Sequence, residues 1–123
     1  MEDLKPGIYH YSVQDHSLEL IKEGDARPEF TKAAFGQGMI QEAPITFVWT
    51  SVWERIKVKY GERAERYVYM EAGHISENVY LQATSMDLGT VAIGAFDDHE
   101  CNKILGVDGV TESVVYMQPV GKL

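Results

Sequence analysis

Arg66 to Asp98 reads RYVYMEAGHISENVYLQATSMDLGTVAIGAFDD, and the way it divides into elements decides the fold. Val68, Ala72, Ile75, Val79, Ala83 and Met86 recur at spacings of three and four, the period that lines one face of an α-helix. The spacing predicts a long helix from about Ala64 to Met86, with Gly89 as its stop. Tyr69, Met70, Tyr80 and Leu81 add apolar surface on its other sides, so this helix is expected to be covered on several faces, in a core or a subunit interface. Val91 to Phe96 is expected to follow as a strand. Asp97 with Glu100 three residues later forms an N-cap and N3 pair, opening a helix through Leu105 that Gly106 ends.

Working outward, Ile8, Tyr9 and Tyr11 to Val13 are β-prone, and Leu18 to Ile21 resumes the pattern after a polar turn, which predicts an opening hairpin. Pro28 and Glu29 open a short helix through Phe30, Ala33, Ala34 and Phe35 that Gly36 closes. After Pro44, the run Ile45 to Val52 is dense in β-branched and aromatic residues and reads as a central strand covered on both faces. Trp53 to Tyr60 reads as a short helix ended by Gly61, and Glu112 to Pro119 as the last strand. This order predicts an α+β fold, a mixed and mostly antiparallel sheet around a long central helix.

At 123 residues the chain is expected to form one domain, 1–123. No apolar run approaches the roughly 18 residues of a membrane span, and no basic and apolar leader opens the sequence. A net charge of −8 removes the electrostatic basis for binding nucleic acid. Arg55, Lys57, Lys59, Arg63 and Arg66 do cluster, but Glu54, Glu62 and Glu65 interleave with them, as on a solvated face. Cys101 stands alone, so no disulfide staples the fold and a reducing compartment, the cytoplasm, is expected.

Tyr67, Glu71, His74 and Asn78 share one polar stripe of the long helix. Glu71 and His74 have the Glu-x-x-His spacing of di-metal carboxylate bundles, but the second pair and the two further carboxylates are lacking, so no metal is expected. Asp97, Asp98 and Glu100 surround Cys101 with negative charge, which disfavours a thiolate nucleophile. Gly89 and Gly94 have a phosphate-loop spacing without the Lys-Ser or Lys-Thr that should follow. Lys59 and Tyr60, an ammonium beside a phenol, are groups able to transfer protons wherever a cleft tunes them.

Several motifs in one order carry a family resemblance: Lys59-Tyr60-Gly61-Glu62-Arg63, Arg66-Tyr67, Glu71-Ala72-Gly73-His74, Glu77-Asn78-Val79-Tyr80-Leu81, Leu88-Gly89 and Gly94-Ala95-Phe96-Asp97-Asp98, with Gly7-Ile8-Tyr9-His10-Tyr11 at the opening. Together they resemble the C-terminal half of the FMN-dependent nitroreductase-like oxidoreductases, in particular the SagB-type dehydrogenase branch. The resemblance implies a shortened nitroreductase-like α+β fold, and a homodimer whose long helices pack across the interface with FMN at the subunit junction. It implies that the backbone at Gly94 and Ala95 approaches the flavin ring, and that Lys59 and Tyr60 deprotonate a small-molecule substrate while hydride passes through FMN, with NAD(P)H as a candidate donor. Family members carry a further N-terminal region whose Arg and Ser residues hold the FMN phosphate, which leaves Arg63 and Arg66 as the candidates here. The alternative expectation is a flavin-free dimeric scaffold, or a half-protein that needs a separate N-terminal partner.

Overall fold

The computed structural model describes residues 3–123. A two-stranded hairpin, β1 (Gly7–Ser12) and β2 (Ser17–Glu23), opens the chain, followed by α1 (Arg27–Ala33) and the single turn α2 (Met39–Glu42). Then come β3 (Ile45–Val52), α3 (Trp53–Tyr60), a 3₁₀ turn (Gly61–Arg63), the 22-residue α4 (Ala64–Ser85), β4 (Leu88–Thr90), α5 (Asp98–Leu105) and β5 (Glu112–Lys122). The single turn α2 directly follows Gly38.

The main sheet runs in the order β3-β5-β4, and its ladders are antiparallel, as is the β1-β2 ladder. Centrality therefore falls to β5, the last strand of the chain, and β3 lies at an edge of the described sheet. Burial follows this order: Val114 and Met117 to Val120 are buried on β5, whereas only Ser51 is buried on β3. Alternation along β5 divides its side chains between two layers. Met117 joins Phe30, Ala33, Ala34, Ile40, Ile93, Cys101 and Val114 in the hydrophobic core beneath α1, α2 and α5. Full burial of a side chain such as Met117 stabilises the fold by roughly 1.5–3 kcal/mol. The neighbouring Gln118, also fully buried, accepts a 2.8 Å hydrogen bond from the Ser76 hydroxyl on α4.

The buried stripe of α4 is Ala64, Val68, Ala72, Ser76 and Ala83, rotated from the expected one. Ile75 and Met86 point outward. Small side chains on the inner face let the helix lie close to the sheet, and Gln118 satisfies the one hydroxyl among them.

The expected strand over Val91–Phe96 does not form. Pairing with β5 ends at Thr90, after which Ile93 makes a single bridge to Met117, exchanging bonds of 2.8 and 3.2 Å. Elsewhere the segment is held from outside a ladder: the Tyr80 hydroxyl accepts from the Ala92 N–H, and the Asp97 N–H donates to the Ala33 carbonyl. Gly94 and Ala95, poor strand formers, cross the surface between these anchors. Asp97 caps α5 by accepting from the Glu100 N–H at 2.9 Å, and Gly106 closes the helix in the left-handed conformation.

Candidate functional site

A β-bulge begins the site. Trp49 pairs with Tyr116 and Thr50 with Val114, so Val115 is an extra residue on β5 with no partner on β3. Such a bulge bends the strand and re-aims its side chains. Freed from the ladder here, the Val114 N–H donates instead to Asn102 Oδ1 at 2.8 Å. Around this break lies a cleft of about 320 Å³, lined by Tyr69 of α4, Gly94 and Phe96 of the crossing segment, Asp98 and Asn102 of α5, Gly109, and Ser113 to Val115 of β5. Its size lies at the lower end of small-molecule sites.

Aromatic and polar contacts fix the walls. The Trp53 indole N–H donates to Ser113 Oγ at 2.8 Å, and the Trp53 ring meets Tyr69 edge-on, with centroids 6.4 Å apart. The Tyr69 hydroxyl donates to Glu65 at 3.0 Å. Burial, then that bond and the charges of Glu65 and Asp98, raises the Tyr69 pKa above its ordinary value, so the phenol stays protonated. Asn102 is only 6 % exposed. Because its bond to Val114 engages a backbone donor, the accepting atom is the amide oxygen, and Nδ2 is left at the cleft without a partner among the described residues.

Cys101, adjacent in sequence, is fully buried, and its thiol is pushed up to about 11 by burial and by Asp97, Asp98 and Glu100. It stays a thiol near neutral pH and serves the core.

The structure brings Gly94 to the cleft. Ala95 stands beside it, exposed, with its carbonyl accepting from Gln37 Nε2 at 2.8 Å. The N–H groups of both residues are without partners among the described residues. A Cβ built on Gly94 would lie 3.7 Å from Tyr116, an ordinary contact, so the chain's own packing does not demand glycine there.

Lys59 and Tyr60 stand apart, on the exposed last turn of α3. The Lys59 ammonium lies 5.2 Å from the Tyr60 ring centroid, and Tyr60 meets Tyr67 of α4 edge-on at 4.9 Å. Trp53, at the other end of α3, is the helix's link to the cleft, and the two ends are roughly 10 Å apart along the axis. Among the described residues no hydrogen bond or ring contact joins Lys59 or Tyr60 to Gly94 or Ala95. Arg63 and Arg66 are exposed and form no ion pair with another described residue. Glu71, His74 and Asn78 lie exposed along α4, and Asn78 Nδ2 donates to the His74 carbonyl. No group of three or more His, Cys, Asp or Glu among the described residues stands close enough to hold one metal ion.

Asn102 and Ser113 were not candidates on sequence. A lone Asn in a short helix and a Ser in a strand carry no spacing signal, and the bulge that joins them appears only when β3 and β5 pair.

An antiparallel sheet with the long α4 on one face and short helices on the other defines the nitroreductase-like α+β fold. The Nitroreductase family model matches residues 2–122, and the chain belongs to that family. It is 40% identical over 119 residues to the candidate nitroreductase MJ1384 of Methanocaldococcus jannaschii, covering 97% of this chain and 59% of that protein. It is 29% identical over 103 residues to the trifolitoxin operon protein TfxC of Rhizobium leguminosarum biovar trifolii, covering 83% of this chain and 29% of TfxC. Among solved structures, a candidate nitroreductase of Anabaena variabilis superposes with a TM-score of 0.91 at 30% identity, covering 98% of this chain and 25% of that one. The chain thus spans well under two thirds of the length of these relatives. No described helix is long and apolar enough to cross a membrane.

Proposed function

We propose that the chain acts as an FMN-dependent oxidoreductase of the SagB-type dehydrogenase branch. The observation that carries the reading is the Gly94–Ala95 crossing: an exposed backbone with two N–H donors free of partners among the described residues and no side chain at 94, although internal packing would accept one. Such a surface fits close approach by a flat heteroaromatic ring with acceptor nitrogens, as a flavin has. The series of motifs from Lys59 to Asp98 supports the branch. FMN, when bound, supplies a two-electron acceptor and donor.

The chain's own residues then have distinct tasks. Gly94 and Ala95 hold the ring edge through their N–H groups. Arg63 and Arg66, cationic and free of ion pairs with described residues, are offered to the phosphate. Tyr60 Oη and Lys59 Nζ, side by side on the last turn of α3, are the groups offered for proton exchange with the substrate. Tyr69, met edge-on by Trp53, forms one wall of the cleft beside Gly94. A reduced nicotinamide serves as the electron donor, and a homodimer in the cytoplasm covers the outward Met70, Ile75 and Leu81 of α4.

A second reading is favoured by the share of the relatives that the chain spans, 59% of MJ1384 and less of the others. In it, the chain is a flavin-free scaffold, or one half of a site that a separate chain completes. The visible absorption spectrum after incubation with FMN and desalting separates the two. Retained flavin absorbance supports the oxidoreductase, and a colourless protein supports the second reading.

A further inference from the structure

The cleft beside Gly94 has a donor and acceptor pattern of its own. Asn102, more than nine-tenths buried, spends its oxygen on the Val114 N–H and presents Nδ2–H to the cleft without a partner among the described residues. Ser113 Oγ accepts from Trp53, which leaves its hydroxyl proton to donate. Asp98 supplies a carboxylate acceptor on the same lining, and it lies outside the cap of α5, which Asp97 makes. Tyr69 and Phe96 add aromatic walls. Two neutral donors beside one anionic acceptor match a group that carries a carbonyl oxygen next to an N–H, and the donors are too few to offset Asp98 and Glu65 against an anion.

We propose that this cleft is a recognition subsite for a carboxamide, its C=O taken by Asn102 Nδ2–H and Ser113 O–H and its N–H by the Asp98 carboxylate. The proposal rests on the oxidoreductase reading only in calling the occupant a substrate group, because the binding chemistry belongs to the cleft itself. The same amide unit occurs in a small aromatic carboxamide and in a peptide backbone, and the probes separate these sources.

The ¹⁵N-labelled chain is titrated with benzamide, with N-acetylglycine N-methylamide and with benzoate, following the Asn102 side-chain NH₂ pair and the Gly94 and Val115 backbone amides. One or both amides are expected to shift these signals saturably, the stronger of the two naming the source, and benzoate to bind more weakly. Asp98→Asn removes the charged acceptor at an exposed position and should weaken amide binding by about tenfold. Asn102→Asp keeps the acceptor for Val114 while removing the donor, and should abolish the shifts of the Gly94 and Val115 backbone amides. If neither amide moves the Asn102 side chain, if benzoate binds as well as benzamide, or if Asp98→Asn leaves the affinity unchanged, the proposal fails. Flavin retention measured on the same samples keeps the outcomes apart: amide binding without retained flavin overturns the oxidoreductase reading alone, and retained flavin without amide binding overturns this one alone.

Discussion

Ser76 and Gln118 form a buried polar pair with an imbalance that a double-mutant cycle exposes. The Ser76 hydroxyl donates to Gln118 Oε1 at 2.8 Å, while Gln118 Nε2 is buried with no partner among the described residues. A neutral hydrogen bond contributes about 0.5–1.5 kcal/mol net, whereas an unsatisfied buried polar atom costs about 1–3 kcal/mol. Ser76→Ala should therefore destabilise by about 1–2 kcal/mol, because Gln118 is then unpaired at both ends. Gln118→Met removes the orphaned nitrogen but strands the Ser76 hydroxyl, which can turn back to the carbonyl one helical turn earlier, and should be near neutral. The double variant clears every polar atom from the contact and gives α4 a better helix former. It should be at least about 1 kcal/mol more stable than Ser76→Ala alone and equal to or above the wild type. Urea unfolding followed by far-UV circular dichroism would show this as a midpoint change on the order of 0.5–1 M. A double variant less stable than Ser76→Ala would mean that Nε2 is satisfied after all, and would refute the reasoning.

Other perturbations test separate parts of the molecule. Asp97→Ala removes the cap of α5 and should lower stability by about 1 kcal/mol and the thermal midpoint by roughly 3–6 °C, with Asp97→Ser recovering most of the loss. The Thr111 hydroxyl and the backbone N–H groups of Val110, Glu112 and Thr111 hold the Asp108 carboxyl well below the usual carboxylate range. Its stabilisation is thus present above the unfolded-state value near pH 4 and is lost as pH falls, so between about pH 4 and 2 the wild type should lose stability more steeply than Asp108→Asn. Cys101 should react with a thiol reagent at pH 8 at least about a hundredfold more slowly than a free cysteine, reaching the ordinary rate only as urea unfolds the chain. Lys59→Ala and Tyr60→Phe should depress turnover of a flavin-loaded sample while leaving flavin retention unchanged; a parallel loss of flavin would remove these residues from proton transfer.

Local signals carried much of this fold. β3 and α3 fall on their expected spans because β-branched density and a glycine stop act over a few residues, and the α5 cap needs only Asp97 and Glu100. Lys59-Tyr60 and Gly94-Ala95 were likewise visible as motifs, and the motif order pointed to the family that the comparisons show. What the sequence could not carry was the outcome of competition between distant segments. Val91 to Phe96 has strand-like composition, yet β5 accepts only Leu88 to Thr90 and the bridge at Ile93, because the chain must then reach Ala33 and the start of α5. Ile75 belongs to an apolar period, yet Ser76 faces the sheet, since the angle at which α4 docks is set by close approach to β5 and by Gln118. The Asn102–Ser113 cleft exists only because pairing β3 with β5 leaves Val115 over as a bulge and frees the Val114 N–H. Residue type and spacing determined which elements this chain forms and which family it joins. The tertiary structure decided which strand is central, which helix face is buried and where an unpaired donor meets a carboxylate, because those depend on contacts between residues far apart in sequence.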